Sequence, residues 1–194
     1  MAVVVLAAGA SQRLGRPKQL VPYRGKPLLR HAVDAALTAG VGPVLVVLGH
    51  EAERIAPALA GLGVGIVTNG EWRAGLGGSV AAGVRAAAGL EPAVAGVLLL
   101  ACDQPLVTPE LLRSLAAGLA AGAPVAAAGY GGTLGVPAAF ERRLFPELLG
   151  LGADRGAQDV IARHRDRAVS APFPGGELDI DTAEDVLRFG DATD

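Results

Sequence analysis

Short apolar runs that alternate with helix-like segments are the feature that most narrows the folds open to this chain. Strands are predicted over residues 3–6, 43–48, 64–67, 96–101 and 124–128. Helices are predicted over 27–40, 52–62, 79–88, after Thr108 as an N-cap with Pro109 at the first helical position, and after Thr182. Because buried strands separated by helices are typical of parallel sheets, the alternation predicts an α/β fold, with a mostly parallel central sheet flanked by helices. Residues 129–135 are predicted to form a flap or a turn.

The composition bounds the class of protein. With 194 residues, of which 51% are hydrophobic, the chain can bury a substantial core, and residues 1–194 are predicted to form a single domain. No apolar run is long enough to cross a bilayer and no basic segment precedes the first strand, so we expect a cytoplasmic location without membrane contact. The 17 Lys and Arg residues nearly balance the 19 Asp and Glu residues without forming a basic run, which argues against nucleic-acid binding. The single cysteine, Cys102, excludes an internal disulfide and a cysteine-rich zinc site.

The segment after the first strand combines small residues with two cations. Gly9, Ser11 and Gly15 allow backbone N–H groups to approach a ligand closely. Arg13 and Lys18 supply positive charge on the same loop, and the combination suits a triphosphate. The spacing fits neither a P-loop nor the Gly-x-Gly-x-x-Gly dinucleotide fingerprint. The alternative interpretation is an ordinary strand-to-helix loop with solvated charges.

Carboxylates follow two further segments. Asp103 comes directly after an apolar run, at a strand end where a buried carboxylate needs a cation, and it is the first predicted Mg²⁺ ligand. Asp179 and Asp181 lie two residues apart in an extended segment, and Thr182 with Asp185 predicts a capping box that opens a last helix. Asp181 is the second predicted metal ligand. The alternatives are that Asp103 caps a turn and that Asp181 only decorates a helix N-terminus.

A third group of residues follows the strand predicted at 64–67. Asn69, Trp72, Gly75 and Ser79 form this group, and its structural alternatives are an N-cap role for Ser79 and a packing role for Trp72. The three histidines have neither metal-site nor triad spacing, so each is expected to be solvated or part of the core. The single cysteine is expected to be a small buried hydrophobe.

Together these motifs resemble the molybdenum-cofactor nucleotidyltransferases of the MobA-like NTP transferase family, and within that family the cytidylyltransferase-like branch. The most specific part of the resemblance is the signature Leu6-Ala-Ala-Gly9-x-Ser11-x-Arg13-Leu-Gly15-x-x-Lys18. Supporting it in order are Asn69-x-x-Trp72-x-x-Gly75, Ser79, Asp103-Gln104-Pro105 and Asp179-Ile-Asp181-Thr182. The resemblance covers nearly the whole chain and implies a three-layer, Rossmann-like nucleotidyltransferase fold.

The resemblance also implies roles for these residues. The implied nucleotide-binding residues are Leu6, Ala7, Ala8, Gly9, Arg13, Lys18, Asn69, Gly75, Ser79 and Asp103; the implied catalytic residues are Lys18, Arg13 and Asp103; and the implied metal ligands are Asp103 and Asp181. Mg²⁺ is the implied cofactor, and the implied substrates are CTP, or another NTP, and a small phosphorylated acceptor such as molybdopterin. A transient contact with a molybdoenzyme or its chaperone is also implied. Alanine at position 8, where guanosine-using relatives have glycine, favours CTP over GTP.

The expected reaction is Mg²⁺-dependent nucleotidyl transfer, in which an acceptor phosphate attacks the α-phosphate of CTP and pyrophosphate leaves. The chain departs from the family pattern at Gly135-Val136-Pro137, where relatives commonly have Gly-His-Pro or Gly-Asn-Pro, and at 153–157, where they have Gly-Asp-x-Gly-Ala. Two other functions stay open. One is an NAD(P)-dependent oxidoreductase, against which the missing fingerprint argues, and the other is a protein that binds a nucleotide or cofactor without turnover.

Overall fold

The computed structural model describes residues 1–189. In chain order its strands are β1 (Ala2–Ala7), β2 (Pro22–Tyr23), β3 (Lys26–Pro27), β4 (Val44–Leu48), β5 (Val64–Thr68), β6 (Gly96–Ala101), β7 (Val125–Tyr130), β8 (Thr133–Glu141) and β9 (Val169–Pro172). Its α-helices are α1 (Leu28–Ala39), α2 (Ala52–Ile55), α3 (Leu76–Ala88), α4 (Pro109–Ala120), α5 (Phe145–Leu149), α6 (Gln158–Arg163) and α7 (Ala183–Phe189). Short 3₁₀ turns cover Lys18–Leu20, Ala56–Leu59, Trp72–Ala74, Arg142–Leu144 and Arg165–Arg167.

Seven of the strands form one sheet, in the order β5-β4-β1-β6-β8-β7-β9. Within it β8 runs against both of its neighbours, and every other pairing is parallel. Strands β2 and β3 form a separate two-stranded ribbon. The predicted mostly parallel sheet is therefore confirmed, and the five predicted strands are β1, β4, β5, β6 and β7, with ends shifted by up to two residues.

Alternate residues of β1 serve two hydrophobic layers. Val3 and Val5 pack in one layer with α1 and α4, whereas Val4 packs in the other with α3, α5 and α6. This alternation follows from the period of two in a strand, and it requires an apolar residue at every position of a strand that is covered on both faces. The result is the expected three-layer arrangement of helices, sheet and helices.

The sequence analysis does not predict β8 and β9. Residues 129–135, predicted as a flap or a turn, are the end of β7, a tight turn and the start of β8. The turn consists of Gly131 and Gly132, whose φ angles of +54° and +75° suit a two-residue hairpin loop. Pro137 makes β8 hard to recognise in the sequence, because proline is rare inside strands. It lies with Val136 in a bulge opposite the step from Ala127 to Ala128. A proline is tolerated at such a bulge because its missing N–H is not needed there.

Helix ends agree with the sequence in some places and differ in others. Thr108 caps α4 as predicted, since its Oγ1 accepts a hydrogen bond from the backbone N–H of Leu111 at 3.2 Å. The helix predicted over 52–62 is a single α-turn followed by a 3₁₀ turn, because Pro57 cannot continue the α-helical hydrogen bonds. Helix α3 begins before Ser79, so the alternative that Ser79 is its N-cap is wrong. Within residues 1–189 we find no helix with the length and apolar character that crossing a bilayer requires.

Two glycines of α3 allow a matched test of how closely this helix packs on the sheet. A Cβ at Gly83 would lie 2.4 Å from Val4 Cγ1 and 3.0 Å from Val47 Cγ2, whereas a Cβ at Gly78 would meet nothing closer than 3.8 Å. We expect Gly83→Ala to lower the free energy of unfolding by about 1–3 kcal/mol through overpacking. Gly78→Ala should be neutral or stabilise by up to about 1 kcal/mol through helix propensity. Urea denaturation measures both, and equal stabilities of the two variants would contradict this packing.

Candidate active site

The loops that follow β1, β5 and β6 converge at the carboxyl edge of the sheet and line a cavity of about 950 Å³. A cavity of this size can hold a nucleotide together with part of a second substrate. The predicted site residues that line it are Leu6, Ala7, Ala8, Gly9, Arg13, Lys18, Gly75, Ser79, Asp103 and Asp181. Asn69 is the one predicted site residue that does not line this cavity, and it contacts Ser79 from behind.

The loop after β1 is held in shape by the 3₁₀ turn that follows it. Gln19 is fully buried, and its Nε2 donates to the carbonyl oxygens of Ala7 at 2.7 Å and Gly9 at 3.0 Å. Ser11 has a φ of +52°, and its Oγ accepts a hydrogen bond from the backbone N–H of Lys18 at 3.0 Å. The sequence analysis missed Gln19, which resembles an ordinary surface residue until the fold buries it.

The backbone N–H groups of the same loop are free to bind a ligand. Within residues 1–189, the N–H groups of residues 8–13 donate to no protein acceptor. Successive unpaired N–H groups form a concave donor surface of the kind that binds phosphate oxygens. The carbonyl groups of the loop are turned inward by Gln19, so the loop presents donors to the cavity.

A cluster of four charged side chains lies beside this loop. Lys18 Nζ donates to Asp103 Oδ2 at 2.5 Å and to Asp181 Oδ1 at 2.7 Å, and Arg13 Nη2 donates to Asp181 Oδ2 at 2.5 Å. Burial lowers the pKa of the Lys18 ammonium, but the attraction of Asp103 and the hydrogen bonds to both carboxylates outweigh it and raise that pKa above its ordinary value. Lys18 is therefore a permanent cation. The structure thus brings together all four residues that were predicted to bind phosphate or metal.

The position of Asp181 depends on its neighbour Ile180. Ile180 is buried against Val21, Tyr23 and Leu28, in a small hydrophobic cluster that is separate from the two main layers. Its backbone N–H donates to the carbonyl oxygen of Asp103 at 3.0 Å, which links the two segments that carry the carboxylates.

The start of α7 fixes the other side of Asp181. The capping box predicted there is present, because Thr182 Oγ1 accepts from the N–H of Asp185 at 3.2 Å and Asp185 Oδ2 accepts from the N–H of Thr182 at 2.8 Å. The carboxylate of Asp185 also accepts from the N–H of Asp181 at 3.1 Å. Asp181 is held on both sides by contacts that leave its own carboxylate directed at Lys18.

The two carboxylates fit a divalent metal ion. Asp103 and Asp181 direct oxygen atoms at one position, which the Lys18 ammonium occupies, and carboxylate oxygens are the ligands that Mg²⁺ and Mn²⁺ prefer. Across residues 1–189 no group of three or more His, Cys, Asp or Glu side chains is arranged to hold a metal. A metal at this position would therefore draw part of its coordination from substrate oxygens, which is common for Mg²⁺ in nucleotide sites.

Two other residues near the cluster have shifted pKa values. Burial raises the pKa of the Cys102 thiol to about 12, which leaves it protonated and unsuited to nucleophilic attack. Partial desolvation and the nearby carboxylates of Asp103 and Asp181 raise the pKa of Asp179 to about 6. Two of the histidines lie elsewhere: His31 binds the backbone oxygen of Tyr23, and His164 pairs with Glu147.

The cavity is also lined by residues that the sequence did not assign to the site. Arg73, Leu76, Asp154 and Gln158 line it together with Val136, at one of the two places where the chain departs from the family pattern. A Cβ at Gly75 would meet the carbonyl oxygen of Ala153 at 2.2 Å, so this glycine also allows the 152–155 loop to pack on the start of α3. Trp72 has a double role as well, because it lines the cavity and stacks against His50 with ring centroids 4.8 Å apart.

The sequence of residues 3–168 matches the MobA-like NTP transferase domain. The chain belongs to this family. Among curated proteins it is similar to the bifunctional protein GlmU of Halorhodospira halophila, with 42% identity over 120 residues, which are 61% of this chain and 24% of that protein. It is also similar to nicotine blue oxidoreductase of Paenarthrobacter nicotinovorans, with 44% identity over 85 residues, which are 43% of this chain and 42% of that protein. The chain therefore spans about a quarter and about two fifths of the lengths of these relatives.

A similarity to solved structures covers the whole chain. Rv0371c of Mycobacterium tuberculosis has 32% sequence identity and a TM-score of 0.84, with 100% of this chain and 99% of that chain covered. A second structure of that protein is a complex with manganese, with 29% identity and a TM-score of 0.82 over 99% of this chain and 98% of that one.

The raised pKa of Asp179 predicts a specific pH dependence of stability. The folded chain binds this proton more tightly than the unfolded chain, so between pH 3.8 and about 6 the free energy of unfolding falls as the pH rises. Asp179→Asn should therefore raise the Tm at about pH 7 in the presence of EDTA, and the gain should shrink as the pH falls and vanish at about pH 3 and below, where the Asp179 carboxyl is protonated in the folded and the unfolded chain alike. Asp166→Asn, remote from the cluster, is the control. An equal gain from Asp179→Asn at both pH values would refute the assignment.

Proposed function

We propose that this chain is a divalent-metal-dependent nucleotidyltransferase that transfers CMP from CTP to a small phosphorylated acceptor. The observation that carries the proposal is the convergence of Lys18, Asp103 and Asp181 beside a loop whose N–H groups have no protein acceptor within residues 1–189. Family membership and the full-length similarity to Rv0371c support the same conclusion. The nucleotidyltransferase domain would comprise residues 1–194.

In the proposed reaction an oxygen of the acceptor phosphate attacks the α-phosphorus of CTP, and the bond from that phosphorus to the bridging oxygen of the β-phosphate breaks. Pyrophosphate leaves with the bonding electrons. The N–H groups of residues 8–13 hold the phosphates, and Arg13 and Lys18 neutralise charge on them and stabilise the charge that shifts in the transition state. The reaction needs no protein nucleophile, which agrees with the protonated state of Cys102.

Asp103 and Asp181 would hold the metal ion, for which we propose Mg²⁺. When bound, such an ion neutralises phosphate charge and polarises the phosphoryl oxygens. The manganese complex of Rv0371c supports a divalent ion in this family member, and the pair of carboxylates here supports the same for this chain.

The proposed substrates follow from residues that line the cavity. Ala8 is one of them, and its methyl group narrows the slot for a base, which favours the pyrimidine of CTP over guanine. Val136 and Leu76 add apolar surface to the cavity wall, against which the body of the acceptor would lie. We propose molybdopterin as the first acceptor to test, with the product passed to a molybdoenzyme or its chaperone in the cytoplasm.

The similarity to nicotine blue oxidoreductase favours a second candidate, the reduction or oxidation of a small molecule with a nicotinamide cofactor. A nicotinamide cofactor carries a pyrophosphate that a loop of unpaired N–H groups also suits, but the hydride transfer itself makes no use of a metal ion held by two carboxylates. The two candidates therefore differ in whether Asp103 is needed.

Loss of the Asp103 carboxylate tests the proposed activity. We expect pyrophosphate release with CTP, Mg²⁺ or Mn²⁺ and a phosphorylated acceptor, and we expect Asp103→Asn to lower kcat by roughly 10²–10³-fold because a metal ligand is lost. Asp166→Asn should retain the parental rate. Pyrophosphate release that is unaffected in Asp103→Asn would rule out the metal role. Oxidation of NADH or NADPH without any pyrophosphate release would favour the second candidate.

Substitutions of Lys18 test whether its ammonium acts in catalysis or in binding of the nucleotide. Lys18→Ala should lower kcat by roughly 10²-fold while changing KM for CTP much less, because the ammonium stabilises charge that shifts in the transition state. Lys18→Arg should recover only part of the rate, since a planar guanidinium does not replace a point charge between two carboxylates. An unchanged kcat in Lys18→Ala would show that the ammonium has no part in the reaction.

A further inference from the structure

We propose that Asn69 determines base specificity without touching the base. It fixes the Ser79 hydroxyl as a hydrogen-bond donor toward the cavity, and this donor favours cytosine over uracil. The inference rests on the proposed function, because it requires a nucleotide base in the part of the cavity beside Ser79.

The orientation of the Asn69 amide is fixed by the backbone. The N–H of Glu71 donates to Asn69 Oδ1 at 3.0 Å, and a backbone N–H can only donate. The other end of the amide must therefore be the NH₂ group, and Nδ2 donates to Ser79 Oγ at 3.1 Å. Both side chains are almost completely buried, with exposed fractions of 8% for Asn69 and 6% for Ser79. The amide cannot turn over without losing the hydrogen bond from the Glu71 N–H, which has no other way to reach an acceptor on this side chain.

This arrangement decides the role of the Ser79 hydroxyl. Because Oγ accepts from Asn69, the hydrogen of the hydroxyl must find an acceptor elsewhere. Among the residues that the structure describes, no acceptor for it is present, and Ser79 lines the cavity. Water in the cavity can accept this hydrogen, but a base that displaces the water must supply an acceptor atom in its place, because a buried hydroxyl hydrogen without an acceptor is costly.

The loop after β1 also presents hydrogen-bond donors to the cavity. The carbonyl oxygens of Ala7 and Gly9 are held by Gln19 Nε2, and that of Ala8 accepts the backbone N–H of His50 at 3.1 Å. Each of these three carbonyl oxygens already accepts a hydrogen bond, while the N–H groups of residues 8–13 have no protein acceptor within residues 1–189. The part of the cavity beside Ser79 and this loop therefore presents mainly hydrogen-bond donors.

Cytosine and uracil differ in how they meet such a surface. Cytosine has two adjacent acceptors, O2 and N3, which match two adjacent donors. Uracil has an N3–H donor between its two carbonyl oxygens, and this N–H would face another donor and stay unpaired. A site that leaves a buried polar group unpaired discriminates strongly, so we expect CTP to bind at least about tenfold more tightly than UTP.

Replacing the amide with a carboxylate reverses the polarity. In Asn69→Asp the carboxylate can only accept, so it keeps the Glu71 N–H and takes the Ser79 hydroxyl hydrogen, which leaves the lone pairs of Oγ facing the cavity. We expect the ratio of CTP affinity to UTP affinity to fall by at least about tenfold. Trp72 is the only tryptophan in the chain and lines this cavity, so its fluorescence reports binding of each nucleotide without turnover.

Two further variants distinguish the hydrogen-bond polarity of Ser79 from general changes in nucleotide affinity. Gln12→Glu adds a negative charge to the cavity wall without contact to Asn69 or Ser79, and it should weaken both nucleotides by a similar factor. Ser79→Ala removes the donor and should bring the CTP to UTP ratio close to unity, which keeps the test valid if Asn69→Asp does not fold.

The outcomes distinguish this inference from the proposed function. A fall in the ratio in Asn69→Asp and Ser79→Ala, with the ratio unchanged in Gln12→Glu, supports the role of Asn69. If the parent binds both nucleotides but shows no preference for CTP, or if the ratio is the same in Ser79→Ala as in the parent, the role of Asn69 is refuted while nucleotide binding stands. If the parent binds neither nucleotide in the presence of metal, the proposed function fails and this inference fails with it.

Discussion

The pairing of Lys18 with two carboxylates is the interaction on which the site depends. Asp103 and Asp181 come from distant parts of the chain, and their like charges would repel each other without a cation between them. A partly buried ion pair costs desolvation energy that its attraction only offsets, so such a cluster is a poor source of stability. The desolvation energy of the cluster is better explained by a role in a reaction than by a role in folding, since the four side chains lie where the loops of the parallel strands converge.

A small hydrophobic cluster holds Asp181 in position beside Lys18. Val21, Tyr23 and Leu28 pack around Ile180, with Leu14 from the loop after β1 and Val186 from α7 at its margin. The cluster therefore joins the loop after β1 to the segment that carries Asp181, outside the two layers that cover the sheet. Loss of packing there would separate Asp181 from Lys18 without opening the main core.

The parts of the structure that could be predicted from sequence are those that depend on local pattern. Buried parallel strands read as continuous apolar runs, so β1, β4 and β6 were recognisable, and Arg13, Lys18 and Asp103 of the charged cluster follow the ends of two of these strands. Strand β8 was not recognisable, because a proline and a bulge interrupt it. The roles of Gln19 and Asn69 were also hidden, because a buried amide and an exposed amide look alike in a sequence. What distinguishes them is the set of partners that the fold brings to each amide: the carbonyl oxygens of Ala7 and Gly9 for Gln19, and the hydroxyl of Ser79 on α3 for Asn69.

Family membership does not by itself identify the reaction, because the relatives of this chain include proteins named for different activities. The charge balance of the site narrows the choice of reaction. Lys18 and Arg13 offset the charges of Asp103 and Asp181, so without a ligand no member of the cluster lacks a partner of opposite sign. Under the proposed function, Lys18 and Arg13 exchange carboxylate oxygens for phosphate oxygens while the carboxylates gain a divalent cation. Every charged group keeps a partner of opposite sign through this exchange. An uncharged substrate would leave the cluster unchanged, and the desolvation energy that the buried charges cost would then serve no function.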